Sequence, residues 1–153
     1  MIDLKTCFTY AYSAGTFADF AYTPTAAALF TNSINLDAAG IRIAGSKPPW
    51  LIVRTIAAFA TVVTAEISLI TDSVLPVLNA ATATNVLIFR FTAAQMAANT
   101  LLINIPLPHF KYKKWLAMEW KPFTSASAGS LLAYLAAGPE PAIDPPTLTI
   151  AAS

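Results

Sequence analysis

Val62-Val63-Thr64-Ala65-Glu66-Ile67-Ser68-Leu69-Ile70-Thr71 is the stretch that decides the fold class. Val63, Ala65, Ile67 and Leu69 fall on one side of an extended chain, and Thr64, Glu66 and Ser68 fall on the other. A period of two marks a strand in a sheet with one buried face, because successive side chains of a strand point to opposite faces. The run Trp115 to Lys121 repeats the pattern, with Leu116, Met118 and Trp120 facing away from Glu119 and Lys121.

Working outward, short runs of the same kind recur at Thr31–Leu36, Trp50–Ala57, Asn85–Phe91, Leu101–Pro106 and Ser130–Ala137, with a brief Ile41–Ala44 segment as a further candidate. Turn chemistry separates them: Gly40, Gly45 with Lys47-Pro48-Pro49, Asp72-Ser73, Pro106-Leu107-Pro108, Lys121-Pro122 and Gly129 either supply turns or block ladder bonds. Short strands at this spacing predict an all-β sandwich or barrel of about eight strands. Alanine favours helices, and Thr92–Asn99 reads as a short helix, with Thr92 as N-cap and Gln95 closing a capping box. Elsewhere alanine sits among Thr, Val and Ile, which favour strands.

The ends differ from this middle. Residues 1–30 form an N-terminal arm rich in Ala, Thr and aromatics and interrupted by Pro24, in which Phe8, Tyr10 and Tyr12 alternate. It either folds back onto its own core or docks on a neighbour. Residues 31–137 form the domain, and residues 138–153 form an extended tail. There Pro139-Glu140-Pro141 and Asp144-Pro145-Pro146 precede Thr147-Leu148-Thr149-Ile150. Prolines this dense continue neither a helix nor a central strand, and they favour a polyproline-like path.

Composition narrows the function. The chain has 153 residues, of which 56% are hydrophobic and only 11% charged, where an average soluble domain carries about 25% charged residues. So few charges cannot cover a surface, so lipid or protein must satisfy the apolar excess. A spanning helix needs about 20 consecutive, mainly apolar residues. Arg54 and Glu66 bound one candidate, and Pro76, Asn79, Pro106 and Pro108 interrupt the others. The opening Met1-Ile2-Asp3-Leu4-Lys5 puts an acid where a secretory signal carries bases. A net charge of +1 offers nucleic acid or anionic lipid no bulk attraction. Protein partners are the simplest explanation, with neither membrane nor nucleic acid expected.

Chemistry-bearing motifs are scarce. One histidine and one cysteine, His109 and Cys7, supply neither a metal-ligand cluster nor a nucleophile with its base. No glycine-rich phosphate loop or GxSxG elbow occurs. The 8 carboxylates are scattered from Asp3 to Asp144, and nothing selects a hydrolytic pair among them. No cofactor, metal or catalytic residue is expected. Lys111-Tyr112-Lys113-Lys114 is the one charge cluster; it suits an acidic patch on a protein or a solvated hairpin end better than phosphate and bases.

The ordered pattern resembles a known family. Thr31-Asn32-Ser33-Ile34-Asn35-Leu36 followed by Gly40, Gly45 and Pro49-Trp50-Leu51-Ile52-Val53-Arg54 is similar to the opening strands of tailed-phage jelly-roll capsid cement (decoration) proteins of the Bordetella-phage type. Ala65-Glu66-Ile67-Ser68-Leu69-Ile70-Thr71-Asp72 and Ile105-Pro106-Leu107-Pro108 extend the likeness. Lys114-Trp115-Leu116-Ala117-Met118-Glu119-Trp120 and Ala128-Gly129-Ser130-Leu131-Leu132-Ala133-Tyr134-Leu135 look like its closing strands. The longer arm, the Ala-rich Asn79–Asn99 stretch and the Pro-rich tail depart from it.

The resemblance implies a single jelly-roll β-sandwich without enzymatic activity. It also implies a homo-oligomer, a dimer before a trimer, made in the host cytoplasm and bound to the outside of an icosahedral head across junctions of the major capsid protein. Candidate protein-interface residues are Phe8, Tyr10, Tyr12 and Phe17 of the arm, Trp50, Lys111, Lys113, Lys114 and Trp115 at strand ends, and Leu148 and Ile150 of the tail. Two other classes compete. A carbohydrate-binding jelly-roll module of a phage fibre would expose aromatics beside paired polar residues, and a small hydrolase would need the scattered acids to converge.

Overall fold

In a computed structural model of the chain, residues 6–9, 12–13, 16–17, 22–41, 47–76, 81–124 and 128–140 are described. The strands there are β1 (Tyr12–Ser13), β2 (Thr16–Phe17), β3 (Ala28–Leu29), β4 (Ile34–Asn35), β5 (Trp50–Ala57), β6 (Thr64–Asp72), β7 (Thr84–Thr92), β8 (Leu101–Pro106), β9 (Trp115–Pro122) and β10 (Ser130–Ala136). β1 and β2 form a small hairpin. The rest build two antiparallel sheets: β10-β5-β8, and β9-β6-β7 with β3 and β4 both along the outer side of β9. The protein is therefore all-β, a sandwich of two sheets. Among the described residues no helix is long and apolar enough to cross a membrane.

The deciding stretch follows its alternation from Ala65 to Leu69, but Val63, expected on the same buried face, precedes the strand and is 64% exposed, and Ser68 on the other face is buried as well. Ala65, Ile67 and Leu69 of β6 are fully buried in the core with Leu116, Met118 and Trp120 of the neighbouring β9, Ile67 opposite Trp120 and Leu69 opposite Met118, while Glu66 looks outward. The small sheet contributes Leu51, Val53, Ile103, Leu131, Ala133 and Leu135 to the same core. β5 and β8 keep the bounds read from sequence, and β6, β7, β9 and β10 shift by a residue or two. The candidate at Ile41–Ala44 lies mainly outside the described residues.

Other expectations change. Thr31–Leu36 is a strand only at Ile34–Asn35. Thr92–Asn99 is a turn rather than a helix. Its local chemistry is half present: the Thr92 amide donates to the Gln95 side-chain oxygen at 2.9 Å, and the Met96 amide donates to the Thr92 carbonyl at 3.2 Å. Propagation stops because Met96 is drawn fully into the core and Asn99 turns left-handed, at φ 57°. Thr55 then ties the turn down, its hydroxyl donating to the Ala97 carbonyl and accepting from the Thr100 amide at 3.0 Å.

Two described parts of the arm, residues 6–9 and 22–30, belong to the domain. The Phe8 amide donates to the Ala133 carbonyl at 2.9 Å, Tyr22 and Leu131 exchange both backbone bonds, and the Asn32 amide donates to the Phe8 carbonyl at 2.8 Å. The arm thus runs along the outer edge of β10 and crosses to β9, closing one side of the sandwich. Phe8 is fully buried in the core, which corrects its reading as an interface side chain. Apolar burial, at roughly 25 cal/mol per Å², is satisfied inside the chain there.

The tail also stays on the domain as far as it is described. Asn104 of β8 clamps Glu140: its amide donates to the Glu140 carbonyl at 2.8 Å, and its carbonyl accepts from the Glu140 amide at 3.2 Å. Arg54 pairs with the Glu140 carboxylate at 3.3 Å, and the Tyr134 hydroxyl donates to it at 3.2 Å. This latch covers the outer face of the small sheet, where Ile52 is fully buried although it points away from the core.

Burial, then the adjoining Glu140 charge and hydrogen bond, push the Tyr134 phenol up to about 12. A phenol that loses its proton later in the folded than in the unfolded chain contributes stability fully present below the unfolded value near 10 and lost as pH rises toward 12. Glu140→Gln removes the charge but not the burial. Ultraviolet titration of the folded variant should therefore place the Tyr134 transition below about 12 and still above 10; an unmoved transition counts against the latch.

Candidate functional site

A groove of about 450 Å³ lies between two loops, lined by Leu36, Asp37, Ile41 and the run His109 to Lys114. One wall follows β4. The Asn35 side-chain oxygen accepts from the Asp37 and Ala38 amides at 3.1 and 3.2 Å, an Asx turn. Gly40 completes it at φ 65°, which a glycine adopts without strain. The other wall enters β9. The Tyr112 hydroxyl donates to the Pro108 carbonyl at 2.9 Å, and the Phe110 and Tyr112 rings meet edge to face at 5.6 Å. Burial pushes the Tyr112 phenol up to about 12, so it stays a neutral donor across the physiological range.

The three lysines of this run divide. Lys111 and Lys114 are exposed on the groove rim. Lys113 is half-buried and committed to its own chain: its ammonium donates to the Thr82 carbonyl and, at 3.1 Å, to the Thr84 hydroxyl, and its amide donates to the Thr71 hydroxyl at 2.8 Å. It also supports Asp72, which is fully buried at the end of β6 and accepts from Ser73 at 2.7 Å, Val74 at 3.4 Å and Thr82 at 2.9 Å. Burial alone raises a carboxyl, but the three hydrogen bonds and the Lys113 charge outweigh it and hold Asp72 below its usual value. These groups stabilise the β6–β7 connection; Lys113 is a structural residue rather than a free contact.

The remaining predicted contacts do not converge. Trp50 and Trp115 are half-buried at the starts of β5 and β9. Their neighbours Leu51 and Leu116 both point into the core from different sheets, so the two indoles lie on opposite outer faces. Tyr12 and Phe17 pair through the β1–β2 hairpin backbone. Tyr10, Leu148 and Ile150 lie outside the described residues.

What the groove offers chemically is two ammonium groups, the Asp37 carboxylate, the exposed His109 imidazole and an aromatic pair. That set suits binding a partner's carboxylates or a polar ring. Among the described residues no His, Cys, Asp and Glu side chains gather in a set able to hold a metal. Tyr112 is legible in sequence as an aromatic interleaved with lysines, and Phe110 adjoins that run. Asp37 and Ile41 had no such signal, since only the fold brings the turn after β4 beside β9.

Large apolar side chains also stay exposed. On the outer face of the large sheet Ile88 is 51% exposed and Phe123 53% exposed. Arg90 lies over the Phe123 ring at 5.5 Å while its guanidinium pairs with Glu66 at 3.0 Å. Val74 and Leu75 project from the β6–β7 connection. Comparison of the chain with known protein families and with characterised proteins finds no match.

Proposed function

We propose that the protein is a structural virion component, a jelly-roll cement protein that decorates the outside of an icosahedral phage head and holds adjacent major capsid subunits together. The observation that carries this reading is an all-β sandwich with 11% charged residues whose surface presents Val63, Val74, Leu75, Ile88, Phe110 and Phe123. Exposed apolar side chains in such number mark protein contact more than chemistry. Jelly-roll connectivity is supported by the strand order, in which the chain alternates between sheets as β5 to β6, β7 to β8, β8 to β9 and β9 to β10. Repeated over a shell, modest apolar contacts resist pressure without any reaction.

Shells assembled without the protein provide the test. Purified protein should bind them saturably and raise their disruption temperature. Lys111→Glu together with Lys114→Glu should weaken that binding roughly tenfold at low salt and less at high salt, as screened rim charges do. Indifference of the protein to shells at high concentration would overturn the proposal.

The groove supports a second reading, the carbohydrate-binding module of a phage fibre. Phe110 stands 42% exposed beside Asp37 and His109, aromatic and polar groups of the kind that hold a sugar ring. Glycan binding lost on Phe110→Ala, in a protein absent from purified shells, would favour it.

A further inference from the structure

The two sides of the sandwich are closed unequally. On one side the arm pairs with β10 and with β9. The free edges of β7 and β8 therefore lie on the other, where among the described residues no strand pairs with them. Core-facing side chains report the difference. Ile67, Leu69, Met118 and Trp120 in the middle of the large sheet are fully buried, whereas Leu87, Phe89 and Phe91 of β7 are only partly buried.

β7 also lacks the usual protection of an edge. Thr84-Asn85-Val86-Leu87-Ile88-Phe89-Arg90-Phe91-Thr92 contains no proline or lysine, and its single cation is already paired with Glu66. Long apolar edges of this kind accept a further strand. β8 is shorter, ends in Pro106 and is engaged by the Glu140 clamp through Asn104.

The chain carries a fitting occupant. From β10 the tail crosses the small sheet past Tyr134 and Arg54 to Asn104 on β8, so it reaches Glu140 on the open side. The six residues 141–146, three of them proline, have a reach of about 19 Å at the ~3.1 Å per residue of a polyproline path, against ~10 Å between packed sheets. Thr147-Leu148-Thr149-Ile150 follows with a period of two, which can lay Leu148 and Ile150 beside the half-covered Phe89 and Phe91.

We infer that the free edge of β7 is the docking site for the chain's own residues 147–151, which add to the large sheet as an edge strand. A tether this short gives the tail of the same chain a millimolar effective concentration, so it outcompetes the tail of a second copy. The site is independent of whether the protein decorates a shell.

Hydrogen exchange tests it on the full chain and on a chain ending at Glu140, which keeps the latch. In the full chain, the β7 amides that do not bond β6 should exchange at least about tenfold more slowly than in the shortened chain. Leu148→Asp with Ile150→Asp should abolish the difference while the melting temperature of the core stays near that of the shortened chain. A synthetic peptide of residues 141–153 should restore protection of β7 in the shortened chain. Equal exchange in the two chains, or peptide protection confined to β8, overturns the inference. So does β7 protection that appears only in sedimenting dimers, which would assign the edge to a second copy's tail.

Discussion

Phe8→Ala is expected to destabilise the isolated domain by about 3–5 kcal/mol, the cost of a large cavity where a buried phenylalanine stood. For a chain of this length that corresponds to a melting temperature lower by on the order of 10 °C. Phe8 is fully buried, its amide is held by Ala133, and its carbonyl holds Asn32. Loss of the ring therefore loosens the segment that joins the edge of β10 to β9 as well as emptying its own site. Phe8→Leu keeps much of the volume and should cost about half as much or less. Thermal or urea unfolding of the unassembled protein decides the point. An arm that served only to dock on a neighbour would leave the stability of the isolated domain unchanged in both variants.

Gly129→Ala should be comparably damaging, at about 2–6 kcal/mol, because two independent costs add. Gly129 sits at φ +111°, where an L side chain is strained by about 1–3 kcal/mol. A Cβ there would lie 2.5 Å from the Phe59 ring and 2.9 Å from the Phe59 Cα, and overpacking of this kind costs about 1–3 kcal/mol more. The ring cannot retreat freely. It stacks on Trp120 at 4.7 Å, and Trp120, a β9 residue beside Ile67 of β6, is fully buried in the core. Phe59→Leu with Gly129→Ala should recover part of the loss, since a smaller side chain removes the ring contact but not the backbone contact or the φ. A double-mutant cycle with no coupling between the two positions would refute this steric account.

How much of this was legible beforehand follows from the range of each interaction. Alternation in Val63, Ala65, Ile67 and Leu69 is local, so the strand and most of its buried face could be read directly: the structure buries Ala65, Ile67 and Leu69 as expected, while Val63 falls before the strand starts and stays exposed. The Thr92–Gln95 contact was equally local and formed. Continuation into a helix depended on where Met96 packs and how quickly the chain must enter β8, and neither is written in the residues 92–99 themselves. The charge cluster was visible, yet the reason Lys113 is unavailable lies with Thr82 and Thr84 across the sheet.

By itself the sequence determined the all-β class, the main strands and the apolar excess, because period, turn residues and composition act over a few neighbours. Only the tertiary structure decided that Phe8 closes its own core, that Asp37 meets the lysine run in one groove, and that no strand among the described residues pairs with the outer edge of β7. Each of these rests on segments far apart in the chain meeting across a sheet or between sheets, and a residue's own neighbours carry no record of such a meeting.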